Sequence, residues 1–240
     1  MKNILFFFTF LIVSCSSNDD TTNSETNLKL IKETISSFNN TRTLNYIYEN
    51  NLLSKITGDN ANSDEDDRRF IFSNGKLVQI KLYTRQNFDD PAKATTLTML
   101  YDGNNIASYT STYDDNSAPP TTYTNTYINN RLDYQTDSNG NQGFRHEYYE
   151  TGNLHKIRNN NSDIFVYNSY DAKKNPYFLV YPDSYLRMQI YSPNNKLNVN
   201  GNNATETYEY EYNSFDYPTK IIKKVNGIIQ STTTFTYSFN

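Results

Sequence analysis

The chain has no tryptophan, one cysteine, two histidines and only 8 glycines, 7 prolines and 3 methionines among its 240 residues. Each shortage excludes something. With Cys15 alone, the mature domain cannot hold an internal disulfide. His146 and His155 are two possible zinc ligands without a committed third, so no metal site is expected, and the two read as surface imidazoles on one hairpin. No Gly-x-Ser-x-Gly, His-Glu-x-x-His or phosphate-cradling glycine loop occurs, so no catalytic residue and no cofactor is assigned. A formal charge of −4 creates no strong field for nucleic acid, and none is expected as a partner.

Aromatic residues are abundant instead. There are 22 Tyr and 14 Phe in a chain that is only 36% hydrophobic. Tyr, Phe and Thr suit a pleated, half-buried surface, and the scarcity of Ala and Leu makes the chain a poor source of helices. Low hydropathy alone would read as disorder. The regular spacing of the aromatics argues for a folded β domain.

That spacing is clearest in Arg69 to Ile80 (RFIFSNGKLVQI), a strand, an Asn-Gly turn and a second strand. With Phe72 as zero, a turn residue falls at plus three (Gly75) and apolar residues at plus five (Leu77) and plus eight (Ile80). Tyr48, Tyr101 and Tyr149 repeat the pattern well, and Tyr127 does so with polar Gln135 at plus eight; Tyr191 and Tyr212 repeat it with slips, and Tyr167 is the loosest copy. Steps of 18 to 29 residues between these anchors predict an antiparallel meander of about eight consecutive hairpins. Leu28 to Ser36 reads as a further strand, with helical turns as its alternative. The odd interval from plus five to plus eight puts apolar groups on both faces unless a bulge intervenes. The fold class is therefore all-β, one strongly curved or rolled, barrel-like sheet.

The N-terminus is of another kind. After Met1-Lys2-Asn3, Ile4 to Val13 is an apolar run too short to span a bilayer, ending in Ser14-Cys15. It resembles the bacterial lipoprotein signal, in which that cysteine is lipidated and becomes the mature N-terminus. The resemblance implies a signal peptide over residues 1–14, lipidation at Cys15, and a membrane partner reached through that lipid. Residues 15–27 read as a disordered tether, and 28–240 as a single repeat-built domain. Asp19-Asp20 resembles the acidic export signal of Bacteroidota lipoproteins, which implies the outer membrane and display at the cell surface.

Tyr170-Asp171-Ala172-Lys173-Lys174-Asn175-Pro176, Ser192-Pro193-Asn194-Asn195 and Tyr208-Glu209-Tyr210-Glu211-Tyr212 resemble phrases of Bacteroidota surface lipoproteins of unknown function. Their hairpins are similar to the Tyr-Asp repeats of RHS-type proteins, and the resemblance implies a porin-like, many-stranded antiparallel fold. Display at the surface together with abundant Tyr and Asn points to a non-catalytic binding or interaction module for a glycan or protein. The alternative is a structural envelope component pairing through an exposed sheet edge. An envelope hydrolase ranks third, with Glu147, Glu150, Glu209 and Glu211 as its carboxylates. The acidic loop Gly58 to Asp67 lacks the order of a calcium-binding loop and reads as solvated.

Overall fold

Pairs of residues tolerant of positive φ reverse the chain at four of the turns of the meander. Asn50-Asn51, Asn74-Gly75, Asn129-Asn130 and Asn226-Gly227 all lie in the left-handed region, as a two-residue hairpin turn requires. The computed structural model describes residues 25–59, 67–83, 94–201 and 203–239. The expected signal peptide, Cys15 and most of the expected tether lie outside these residues, as does the middle of the acidic loop. Glu25–Asn27, at the end of that tether, forms a 3-10 turn.

Sixteen strands follow. The first eight are β1 (Leu28–Ser37), β2 (Asn40–Glu49), β3 (Leu52–Gly58), β4 (Asp67–Ser73), β5 (Lys76–Tyr83), β6 (Thr95–Asp102), β7 (Asn105–Tyr113) and β8 (Thr121–Ile128). The rest are β9 (Arg131–Asp137), β10 (Arg145–Tyr148), β11 (Leu154–Asn159), β12 (Ser162–Lys174), β13 (Asn194–Gly201), β14 (Ala204–Tyr212), β15 (Pro218–Val225) and β16 (Ile228–Phe239). One helix, α1 (Asp183–Met188), interrupts them. Every ladder is antiparallel, and β1 also pairs with β16, so the sheet is a meander rolled into a nearly closed barrel. Its two edges are β9 and β10, in mid-chain, rather than the chain ends.

A bulge resolves the odd interval of the repeat. Phe72 pairs with Leu77, but Ile71 pairs with Gln79, leaving Val78 as an extra residue. The same shift leaves Ser54, Ala107, Asp133, His155 and Thr219 extra in their hairpins. After the bulge, plus five and plus eight point the same way, so Leu77 and Ile80 are both buried. The bulge is the exception that the spacing allowed: plus five and plus eight share the inner face. The outer face carries a cross-strand row of Lys55, Arg69, Lys81, Thr96 and Thr112, neighbours that alternate with buried Ile56, Phe70 and Ile80, together with exposed Ile47, Ile71 and Leu100. A wall of this kind suits water. Placing Lys or Arg at a bilayer midplane costs about 2–4 kcal/mol each.

The bulges also explain the tyrosines. Between hairpins the ladders splay, and the β5–β6 ladder ends at Gln79, two residues beyond Leu77. There the Tyr101 hydroxyl donates to the Leu77 carbonyl at 2.9 Å. The contact recurs at Tyr48–Leu30, Tyr127–Ile106, Tyr148–Leu132, Tyr170–Leu154, Tyr210–Lys196 and Tyr237–Pro218, all between 2.6 and 2.9 Å. Each hydroxyl satisfies a backbone acceptor that the splayed ladder has left. The unit beginning at Phe72 has no hydroxyl and makes no such bond.

The lumen is filled from within. Between β12 and β13, where a hairpin turn belongs, residues 175–193 dip into the barrel as a 3-10 turn (Pro176–Leu179) followed by α1. Asn175 caps the turn by accepting from Tyr177 N at 3.0 Å, and Pro176 fixes its first φ. Val180, Tyr181, Tyr185, Leu186 and Met188 are buried against Leu30, Ile56, Phe70, Leu77 and Ile80 of the wall. Glu33 holds the insertion down, accepting from Tyr46 at 2.7 Å and Tyr177 at 2.9 Å. The copies anchored on Tyr167 and Tyr191 therefore do not exist as hairpins; Tyr167 lies within the long strand β12, and Tyr191 ends the insertion.

Candidate functional site

Three concave regions lie around the insertion and the unpaired edges. At the seam, β9 and β10 are joined by side chains in place of a ladder. Arg145 grips the Asp133 carboxylate with two nitrogens, and His146 Nδ1 lies 2.8 Å from the Asp133 carbonyl. The Tyr148–Leu132 bond crosses the same gap, and Arg131 donates to the Tyr149 carbonyl at 3.1 Å. Asp133 reaches Arg145 because it is the bulged residue of its hairpin. Burial lowers the His146 pKa, which keeps its ring neutral. A hollow of about 760 Å³ opens beside this staple, lined by Arg131, Asp133, Arg145, His146, Glu147 and Arg158 among others. Within its lining, Arg158 binds Glu147 at 2.8 Å and also reaches Asp163 at 2.9 Å.

The second region is a cleft of about 230 Å³ between the insertion and the β12–β14 wall. The insertion packs toward β1–β7 and leaves this side open. Tyr167, Tyr170, Tyr177, Tyr191 and Tyr210 line it, with Lys196 at one side. Tyr167 and Tyr170 stack at 6.4 Å, and Tyr177 lies 5.1 Å from Tyr191. Most polar groups are already engaged: Asn175 donates to the Ser192 carbonyl, Asn195 to Asp171 and the Lys174 carbonyl, and Tyr170 and Tyr210 to backbone carbonyls. Among the described residues, the Tyr167 and Tyr191 hydroxyls and the Lys196 ammonium make no hydrogen bond and remain for a ligand. Lys196 sits over the Tyr208 and Tyr167 rings, and burial lowers its pKa despite the opposing pull of Glu206.

The third region, about 290 Å³, adjoins the cleft across Ile190 and Tyr191. It is lined by Arg131, Arg187, Tyr148, Asn129 and Asn130. Ile190 ends the helix at φ +54°, a left-handed conformation costly for a β-branched residue.

The residues singled out in the sequence do not converge. His146 pairs with Ile157, and His155 is a bulged residue whose ring lies 4.4 Å from Tyr149, so the two histidines of this hairpin are not cross-strand partners. Among the described residues no cluster of three metal-ligating side chains occurs. Glu209 and Glu211 lie on the outer wall, paired with Lys224 and, at 2.9 Å, Lys220. Glu147 is held by Arg158, and Glu150 lies at the rim of the seam hollow. Asp59 and Asp67 of the acidic loop accept backbone bonds from Thr43 and Gly58. Cys15 lies outside the described residues. The cleft itself was missed, although Val180, Tyr181, Ser184, Tyr185 and Met188 carry a helical period that marks the insertion.

Fold and site together define a plugged, sixteen-stranded antiparallel barrel with a tyrosine-walled cleft beside its plug. A porin-like protein from Bacteroides uniformis shares this fold, with a TM-score of 0.53 and 15% identity over 87% of this chain and 98% of that one. A porin-like protein from Bacteroides vulgatus aligns over 88% of this chain and 98% of its own at 12% identity, with a TM-score of 0.41. No protein-family model and no curated protein matches the sequence.

Proposed function

We propose that the chain is a cell-envelope lipoprotein, anchored in the outer membrane through lipid on Cys15, whose barrel is a non-catalytic binding module for a saccharide. The observation that carries this is the cleft, where rings of Tyr167, Tyr170 and Tyr191 border free hydroxyls and an ammonium. Aromatic faces receive the apolar faces of sugar rings, and a few fixed polar groups orient them. The charged row of Lys55, Arg69 and Lys81 on the outer wall supports a barrel standing in water behind a lipid anchor rather than one embedded in the bilayer. The likeness of the hairpin unit to Tyr-Asp repeats belongs to the same reading. Pairing of a free sheet edge with another chain, the alternative role, has to break the staple that already joins β9 to β10.

Two experiments test the proposal. Full-length protein on an oligosaccharide array is expected to bind a subset of glycans and to lose that binding in a Tyr167→Ala, Lys196→Met double variant that retains the β circular-dichroism spectrum. Silence across the array overturns the saccharide reading. Metabolic labelling with a fatty acid is expected in the wild type and not in Cys15→Ala; an unlabelled wild type overturns the anchor.

A further inference from the structure

The cleft and the region beside it share a wall at Ile190 and Tyr191, so a ligand longer than one sugar ring passes from one to the other. Neither is lined by any aspartate or glutamate. Together they hold Lys196, Arg131 and Arg187, in a chain whose net charge is −4. Concentrating cations there against the overall balance is a local feature of the lining.

Both guanidiniums are set in place by the fold. Arg131 donates to the Tyr149 carbonyl at 3.1 Å and lies over the Tyr148 ring. Gly152, at φ +97°, makes room for it: a Cβ there would fall 2.6 Å from an Arg131 terminal nitrogen. Arg187 donates to Asn105 Oδ1 and the Asn104 carbonyl, both at 2.9 Å, which fixes its plane against the β6–β7 turn. Its one carboxylate neighbour is Asp183, 4.0 Å away on a side chain 83% exposed, a weak and screened contact. Arg131 has no carboxylate partner among the described residues. Oriented guanidiniums with donor capacity to spare suit a carboxylate or a sulfate, which accept two parallel bonds.

We propose that the ligand is an acidic saccharide, whose sugar rings lie in the tyrosine cleft while a carboxylate or sulfate reaches Arg131 and Arg187. This rests on the saccharide reading of the cleft. It adds the charge of the ligand and the residues that read it.

The test is a calorimetric titration of the full-length protein with matched probes. These are a uronate tetrasaccharide against its methyl ester, a sulfated galactan tetrasaccharide against its desulfated form, and sodium sulfate alone. The expected result is that at least one acidic probe binds roughly tenfold tighter than its neutral counterpart, a preference that weakens with salt. The uronate and sulfate pairs tell which acid is read. Arg187→Gln is expected to abolish the preference and Arg187→Lys to restore part of it, both with unchanged melting temperature. Neutral and acidic probes bound equally well overturn the charge assignment and leave the saccharide reading standing. Binding of sulfate alone, with no gain from the sugar, marks a simple anion site and overturns the proposal. Silence toward every saccharide defeats the saccharide reading itself.

Discussion

The hydroxyl of Tyr148 on β10 donates to the carbonyl of Leu132 on β9 at 2.9 Å, across the one gap in the barrel where no ladder runs. It is the same contact that joins hairpins elsewhere in the ring, here used to close it. Tyr148→Phe removes the donor and leaves a half-buried carbonyl unmet, at an expected cost of about 1–3 kcal/mol. Amide exchange should accelerate in β9 and β10 and hardly at all in β1 to β5. Uniform acceleration throughout would show that the seam is not a separate weak point.

Phe72 occupies the tyrosine position of its hairpin without a hydroxyl; by analogy with the other units, the acceptor for one there is the Leu53 carbonyl, two residues beyond the last β3–β4 pair, Lys55–Arg69. Phe72→Tyr should supply the missing bond and stabilise the domain by about 0.5–1.5 kcal/mol in denaturant unfolding. A destabilised variant would mean that the recurring contact is a by-product of packing.

Glu33 is buried beneath the insertion, and desolvation raises its pKa more than the hydroxyls of Tyr46 and Tyr177 and the charge of Arg42 lower it. Because the folded pKa exceeds the unfolded value of about 4.3, the unfolded chain ionises first as pH rises. Stability from this group is complete below about pH 4.3 and falls as pH climbs toward the folded pKa. Melting curves of wild type and Glu33→Gln should therefore diverge in acid and approach one another, or cross, toward neutrality. Parallel curves would contradict a raised pKa.

Val78 is the extra residue of its hairpin. Deleting it should leave a regular ladder in which Phe72–Leu77 and Ile71–Gln79 still pair and Leu77 and Ile80 still share the inner face, so the domain should fold with only the local twist reduced. Val78→Thr, which keeps the count, should cost little. A deletion variant that fails to fold in denaturant-unfolding measurements would contradict this alternation.

Much of this architecture was legible in the residues. Asn74-Gly75 and Asn129-Asn130 announced their turns because few other pairs accept two positive φ angles. The bulge was not legible: an apolar pair at plus five and plus eight looks two-faced until an unpaired residue such as Val78 is known to sit between them. The insertion was hidden for a different reason. Its helix has six residues, and its tyrosines fell into the spacing of the hairpins around it. The seam depends on Asp133 and Arg145, 12 residues apart on consecutive strands, and their pairing shows only once Asp133 is known to be the bulged residue of its hairpin. As for the cleft, its walls come from β12, β13, β14 and the insertion, and no local pattern joins Tyr167 to Tyr191 and Tyr210.

The central claim is that the space between insertion and wall is where a ligand sits. Hydrogen–deuterium exchange on the full-length protein, with and without the tightest-binding saccharide from the array, measures this directly. Protection is predicted in 165–171, 187–196 and 207–212, with the seam strands β9 and β10 unchanged apart from their ends at Arg131 and Tyr148. Protection confined to residues 133–147, or to the outer wall at Lys55, Arg69 and Lys81, would place the ligand elsewhere and contradict the account.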